Sequence, residues 1–415
     1  MLRFQACLLP LLAGAALFYA APAAAASGAT VAVADLNGDG LDDIVNIDAA
    51  GNINVIICNA DGSFSVNTYS PGDLVAPSAV AVADVNGDGR PDVIVTDAND
   101  AATGLHVLLN NGDGTLAPEV VYPTGTAGSP GPQAVAVADV NGDGRPDIVT
   151  ANGQSDSVSV LLNDGAGGFG APLAYPAGTN TVAVAMADLK GDGWQDIVTT
   201  NLGDNSIAIL LNNGDGTFSA PVQQTVGSGP VSVALADVNG DGHPDAVVAD
   251  QNDNTAAVLL GNGDGTFAAP TFYSTGLQPG WITAQNLTGN GLPDIITDNY
   301  DDGSVSFLHN KGDGTFAPQQ QIYPDYGSSN TVVMPVSGSS SPAVVSVDLQ
   351  VSSVVVTTPP TSPGKPPVKN PPKPGVYHVS GAKVSSVSGH GGAFDGLSLL
   401  LLGVFLARRR LFPAA

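Results

Sequence analysis

Six times along the chain a short apolar run leads into the string Asp-x-Asn-Gly-Asp-Gly or a relic of it, with first positions Asp35, Asp84, Asp139, Asp188, Asp237 and Asn286. The steps are 49 residues, with one step of 55. A fixed period of this length means that each unit is one supersecondary structure, which buries its apolar face only by stacking on copies of itself. Another step of 49 from Asn286 lands on Pro335, where residues 335–343 keep the frame of Asp84 to Asp92 with every carboxylate gone. Seven units are therefore expected, the last eroded.

Within a unit the order is constant. Val135 to Ala138 reads as a strand, Asp139 to Asp147 as a loop, and Ile148 to Thr150 as a second strand. A third follows at Val158 to Leu162, then a glycine-rich turn and a weaker fourth strand ending near Tyr175. Counting back from the loop, Val33, Val82, Val137, Met186 and Leu235 alternate with Ala, the period of a strand. A row of Ala suits strands converging on a crowded axis. The fold class expected is all-β, a seven-bladed β-propeller of about 49-residue repeats with a degenerate last blade, six blades being the alternative. Composition agrees: of 38 acidic residues only Glu119 is Glu, and Gly 52 and Pro 31 favour loops over helices. A formal charge of −26 also excludes a nucleic-acid binder.

The loop carries the chemistry. Asp-x-Asn-x-Asp-Gly-x-x-Asp places side-chain oxygens at positions 1, 3, 5 and 9, offers the carbonyl of position 7, and turns sharply at Gly in position 6. Hard oxygen donors without Cys or His select calcium over zinc or copper. An EF-hand needs Glu at position 12 and flanking helices, but that place from Asp84 is Val95, inside a strand-like run. The second recurring string, at Asp113, Asp215, Asp264 and Asp313, is Gly-Asp-Gly-Thr before Leu or Phe. It reads as a hairpin turn whose aromatic residue packs between blades.

The loops, the period and the turn-Phe-x-x-Pro pattern, as in Phe169-Gly-Ala-Pro172, resemble FG-GAP repeats, also described as VCBS repeats, of the integrin α-subunit type. The resemblance spans about 300 residues. It implies a seven-bladed propeller with calcium in loops on one face. Carried over residue by residue, it implies ligands Asp35, Asn37, Asp39, the Leu41 carbonyl and Asp43 in the first unit, and Asp84, Asn86, Asp88, the Arg90 carbonyl and Asp92 in the second. The third has Asp139, Asn141, Asp143, the Arg145 carbonyl and Asp147, and the fifth Asp237, Asn239, Asp241, the His243 carbonyl and Asp245. In the fourth, Lys190 stands at position 3, so Asp188, Asp192, the Trp194 carbonyl and Asp196 hold a weaker ion or the ammonium takes its place. The sixth, with Asn286, Thr288, Asn290 and Asp294, is expected to bind nothing.

Both ends read as addresses. Residues 1–26 have the basic start, apolar run and Ala-rich cleavage site of a secretory signal peptide. Cys7 lies in that segment, so no intrachain disulfide is expected in the mature chain and another staple is needed. Residues 27–356 form the propeller and 357–388 a Pro- and Ser-rich spacer. Residues 389–415 hold a Gly patch, a short apolar stretch read as a transmembrane segment, and Arg408 to Arg410. This tail resembles the GlyGly C-terminal sorting signal of Gram-negative bacteria. The resemblance implies cleavage by a rhomboid-type protease and delivery to the cell surface or medium.

Between residues 27 and 356 only Arg90, Arg145, Lys190 and Lys311 oppose 37 carboxylates, a net of 4 − 37 = −33. Calcium would relieve that repulsion and act as the missing staple. The function expected is a non-catalytic recognition or adhesion module for an extracellular glycan or protein. The alternative is a secreted enzyme, or an accessory subunit of one, with its site at the propeller mouth. His106, His243, His309, His378 and His390 recur beside no nucleophile and are expected to be solvated. Trp281 replaces the small or polar residues Thr30, Ala79, Ala134, Ala183 and Ser232 of the other units, and either stacks on a ligand or fills space beside an eroded blade. Tyr69, Tyr122, Tyr175, Tyr273 and Tyr323 recur in frame and are expected to pack between blades.

Overall fold

The computed structural model describes residues 31–47, 51–59, 64–70, 74, 76–98, 104–125 and 131–322, and five strands beyond residue 329. The leader expected over residues 1–26, most of the Pro-rich spacer, the sorting tail and Tyr323 lie outside the described residues.

Six four-stranded antiparallel sheets succeed one another, each a meander in chain order. They are β1–β4 (Val31–Ala34, Asp43–Ile47, Ile53–Cys58, Phe64–Tyr69) and β5–β8 (Pro77–Ala83, Asp92–Asp97, Leu105–Leu108, Val120–Tyr122). Next come β9–β12 (Ala134–Ala138, Asp147–Asn152, Ser157–Leu161, Leu173–Pro176) and β13–β16 (Thr181–Ala187, Asp196–Asn201, Ser206–Leu210, Val222–Thr225). The last two are β17–β20 (Pro230–Ala236, Asp245–Asp250, Thr255–Leu259, Thr271–Ser274) and β21–β24 (Pro279–Gln285, Asp294–Asn299, Ser304–Leu308, Gln320–Ile322). The first strands of successive sheets pack on one another, which makes the sheets blades of a propeller. Second strands are buried along their whole length in blades two to six, whereas the outermost strands leave Val120, Leu173 and Val222 exposed.

The blades number six, not seven. After the sixth comes a five-stranded sheet, β25–β29 (Asn330–Met334, Ala343–Asp348, Ser353–Thr357, Gly375–Ser380, Lys383–Ser386), whose strand number departs from the repeat. Its first strand lies against β21 and β22. The frame carried by Pro335 preserves spacing without the acidic loop, so spacing alone overstated the likeness of this sheet to a blade. Strands β28 and β29 fall within residues expected to be spacer, where Val376, His378 and Ser380 alternate with Tyr377 and Val379 at the period of a strand.

The core lies between blades. Ala134 and Ala136 of blade three pack against Val184, Met186 and Ile197 of blade four. Ala183 and Ala185 of blade four pack in turn on Val233 and Leu235 of blade five. The Ala row therefore faces the next blade rather than a crowded axis: a small face meets a large one, which lets identical wedges stack at close-packed density. The turn aromatics behave as expected. Phe218 is 6% exposed and meets Tyr175 of the preceding blade edge-on, centroids 5.6 Å apart. The pairs Tyr122–Phe169 and Tyr273–Phe316 repeat this at 5.4 Å. Tyr69 uses its hydroxyl, accepting the Leu116 N–H at 2.8 Å.

Candidate functional site

The nine-residue loop joins the first two strands of each blade, and Ala138 opposite Asp147 closes it at its base. Loop three turns through Gly142 and Gly144 with φ of 75° and 80°, a region that a side chain disfavours. In loop one Asp35 folds back on the turn. Its Oδ1 accepts the Gly38 N–H at 2.7 Å and its Oδ2 the Gly40 N–H at 2.8 Å. Asn37 Oδ1 accepts the Asp39 N–H at 2.9 Å, and Asp39 Oδ1 accepts the Leu41 N–H at 2.9 Å. Asp84, Asn86 and Asp88 make the same bonds in loop two, as do Asp139, Asn141 and Asp143 in loop three and Asp237, Asn239 and Asp241 in loop five. Positions 1, 3 and 5 thus form a tip that is half-buried at 1 and 3 and exposed at 5. In loops two and three the position-7 guanidinium leans on that tip, Arg90 to Asp88 at 2.6 Å and Arg145 to Asp143 at 2.5 Å.

Position 9 lies beneath. Asp43, Asp92, Asp147, Asp196 and Asp245 are all 0% exposed. Asp43 accepts the Leu36 N–H at 2.9 Å and the Cys58 N–H at 2.7 Å, tying the loop to the end of the third strand. Burial pushes its carboxyl up to about 6, with the charges of Asp39 and Asp35 adding to the rise and the two amides opposing it. Asp92, Asp147 and Asp245 are raised for the same reasons. Each is a buried anion beside a half-buried and an exposed one, a setting that a cation would relieve. The donor set, all oxygen and with three carboxylates per intact loop, fits calcium. Among the described residues no three His, Cys, Asp or Glu side chains are already gathered as a metal cluster.

A second set of residues escaped the sequence reading. The residue at position 2 is apolar and buried in every loop, from Leu36 at 1% and Val140 at 0% to Leu287 at 3%. In loops one, two, three and five its carbonyl is held by an Asn from the next blade. Asn110 Nδ2 donates to Leu36 O at 2.9 Å, Asn163 to Val85 O at 2.8 Å, Asn212 to Val140 O at 2.8 Å and Asn310 to Val238 O at 2.7 Å. The same four Asn donate their backbone N–H to the position-9 Asp of their own blade, at 2.7 to 2.8 Å. Loops of neighbouring blades are thus linked through Asn to Asp. The visible signal was the polar residue doubled before the turn in blades two, three, four and six, as in Asn110-Asn111, which reads on its own as turn chemistry.

Loop four differs. The Lys190 ammonium lies 2.7 Å from Asp192 Oδ2 and 3.7 Å from Asp196 Oδ1, and donates to Asn212 O at 2.9 Å. Trp194 lies against Gly142 of loop three, where an added Cβ would come within 2.7 Å of the ring. Loop six keeps Asp294, which accepts backbone N–H groups from Leu287 and Asn310. The turn aspartates serve their turns: Asp215 Oδ1 accepts the Thr217 amide at 3.0 Å and its hydroxyl at 2.6 Å, and these bonds hold its carboxyl below the usual range. Two histidines are not solvated. His106 is fully buried with Nδ1 2.6 Å from Glu119, and His309 is 3% exposed with Nδ1 3.7 Å from Asp294, because both lie in or beside the buried third strands. Trp281 is half-buried opposite Asp298, with its indole N–H buried and making no hydrogen bond.

The family model of the FG-GAP-like repeat matches residues 35–95, 84–150, 139–199, 188–248 and 237–297, each match running from one loop through the second strand of the next blade. No curated protein matches the chain. Among solved structures, an inactive variant of virginiamycin B lyase from Staphylococcus aureus with quinupristin shares 16% identity at a TM-score of 0.52, covering 78% of this chain and 92% of its own. A protein from Lactobacillus plantarum shares 14% at 0.52, covering 88% and 94%. An Agrocybe aegerita lectin, described for specific recognition of non-reducing terminal N-acetylglucosamine, shares 24% at 0.48, covering 72% and 81%. Identities this low speak to fold alone.

Proposed function

Because the chain belongs to the FG-GAP-like repeat family, with matches that together span residues 35–297, we propose that it is a calcium-binding propeller working as a non-catalytic recognition module for an extracellular glycan or protein. The observation that carries this reading is the fourfold recurrence of one oxygen set in loops one, two, three and five, each over a fully buried Asp. Asp35, Asn37, Asp39 and Asp43 would hold the ion in loop one with the Leu41 carbonyl, and the matching residues would do so in loops two, three and five. A bound divalent ion supplies positive charge where exposed and buried carboxylates crowd. The residues themselves hold the turn, through position 1, and tie the loop to the third strand, through position 9.

Recognition suits a surface whose acidic groups are engaged in loop and turn hydrogen bonds. Export rests on the leader-like residues 1–26, and a place at the surface of a Gram-negative cell on the tail, which a rhomboid-type protease would cut. Calorimetric titration of the full chain with calcium is the first test: four sites support the reading, and none removes it. A glycan array run in calcium and in EDTA tests recognition. Selective hits that need calcium and are lost in Trp281→Ala support a lectin-like role, and turnover of an array sugar would point to an enzyme instead.

A further inference from the structure

We infer that loop four is not a calcium site at all: Lys190 is its built-in cation, and blade four is the one blade among the first five that closes its loop without metal. This rests on the reading of the other loops as calcium sites and decides, of the two alternatives the sequence left for loop four, for the ammonium over a weaker ion. Three observations meet here. Lys190 stands at position 3, where loops one, two, three and five each have Asn, and its ammonium reaches both the exposed position-5 carboxylate of Asp192 at 2.7 Å and the buried position-9 carboxylate of Asp196 at 3.7 Å. Its side chain is only 22% exposed, half the exposure of the Arg90 and Arg145 side chains, which reach position 5 from outside the loop.

The second observation is what the ammonium replaces. In loop two Arg90 Nε donates to Asn110 O at 3.2 Å, and in loop four Lys190 Nζ donates to the matching Asn212 O at 2.9 Å. Lys190 thus spans from the interior of the loop to the third strand, tying the elements that position 9 ties. A point charge with three donors in this place pairs with two carboxylates and a carbonyl, and its own charge repels a second cation between Asp192 and Asp196.

The third observation lies in the next blade. Loops one, two, three and five each have their position-2 carbonyl held by Asn110, Asn163, Asn212 or Asn310. For loop four the corresponding residue of blade five is Gly261, which has no side chain to donate, and a Cβ there would come within 2.2 Å of Pro244 O. The Asn is present behind every loop with the complete oxygen set among these five and missing behind the one with Lys. A loop that must hold a metal tightly needs its backbone fixed from behind, and one closed by its own side chain does not.

The test compares the full-length wild type with Lys190→Asn and Lys190→Met, counting bound calcium by equilibrium dialysis and following thermal unfolding in EDTA. The wild type should bind four ions, Lys190→Met four, and Lys190→Asn five, the fifth weaker than the rest because its loop has no Asn behind it. In EDTA both variants should melt below the wild type, with calcium restoring Lys190→Asn and leaving the deficit of Lys190→Met. Five ions on the wild type, or four on Lys190→Asn, overturns the inference. If no protein binds calcium the reading of the other loops fails instead. The EDTA melting of Lys190→Met then decides whether Lys190 closes its loop, equal melting meaning that it does not.

Discussion

At the end of β18, away from the acidic loops, Asp250 is fully buried, and its Oδ1 has no hydrogen-bond partner. Burial, with the charge of Asp253 adding to it, raises its carboxyl to about 7, opposed by the Gly227 amide and the Thr255 hydroxyl. Above the unfolded value of 3.8 the folded chain keeps a proton that the unfolded chain has lost, so stability falls as pH rises from about 4 to about 7. In blades three, four and six the matching residues Asn152, Asn201 and Asn299 are neutral, while blade two has Asp97, and Asn201 donates to Ser206 Oγ at 3.1 Å. Asp250→Asn should therefore raise stability at pH 8 by on the order of 2 kcal/mol and flatten that slope, as urea unfolding at pH 5 and pH 8 would show. An unchanged slope would mean that Asp250 ionises freely in the fold.

The strands and loops were legible in the sequence, their linkage much less so. Alternation of Val and Ala marked the first strands, and Asp at positions 1, 5 and 9 marked the hairpins of the first five blades, because a period of two and a dense acidic turn have few other readings. Which face the Ala row takes, and what Asn110 or Asn163 holds, depend on the neighbouring blade, the two Asn partners lying 74 and 78 residues away, and leave no local pattern. Those contacts are testable. Asn163→Ala removes bonds to Val85 O and Pro146 O and from Gly165 N, and should cost about 2–3 kcal/mol while weakening calcium binding in loop two rather than loop three. Phe218→Ala should cost about 3–5 kcal/mol, because the ring fills the joint between blades three and four, and leave the number of bound ions unchanged. Both are read from chemical unfolding together with calcium titration.

For the molecule as a whole, charge and repetition act together. The chain carries −26 and gathers most of its carboxylates into loops and turns, so in EDTA it should melt lower than in calcium and gain stability as sodium chloride screens the repulsion. Each calcium at a hundredfold excess over its dissociation constant adds about 2.7 kcal/mol, and four intact loops make a shift of many degrees. A melting curve indifferent to both chelator and salt would show that the loops hold themselves together. The propeller architecture was visible from the period, while the number of blades was not, since the spacing at Pro335 survives in a sheet with five strands.

The missing Asn at Gly261 sets one joint apart. Blades one and two, two and three, three and four, and five and six are joined by apolar packing and by a buried amide, whereas blades four and five have the packing of Ala183, Val198, Val233 and Ala246 without that amide. Apolar attraction weakens on cooling more than a hydrogen bond does. The joint between blades four and five is therefore the cold-sensitive one, and near freezing the amides of β17 should exchange with solvent before those of any other first strand.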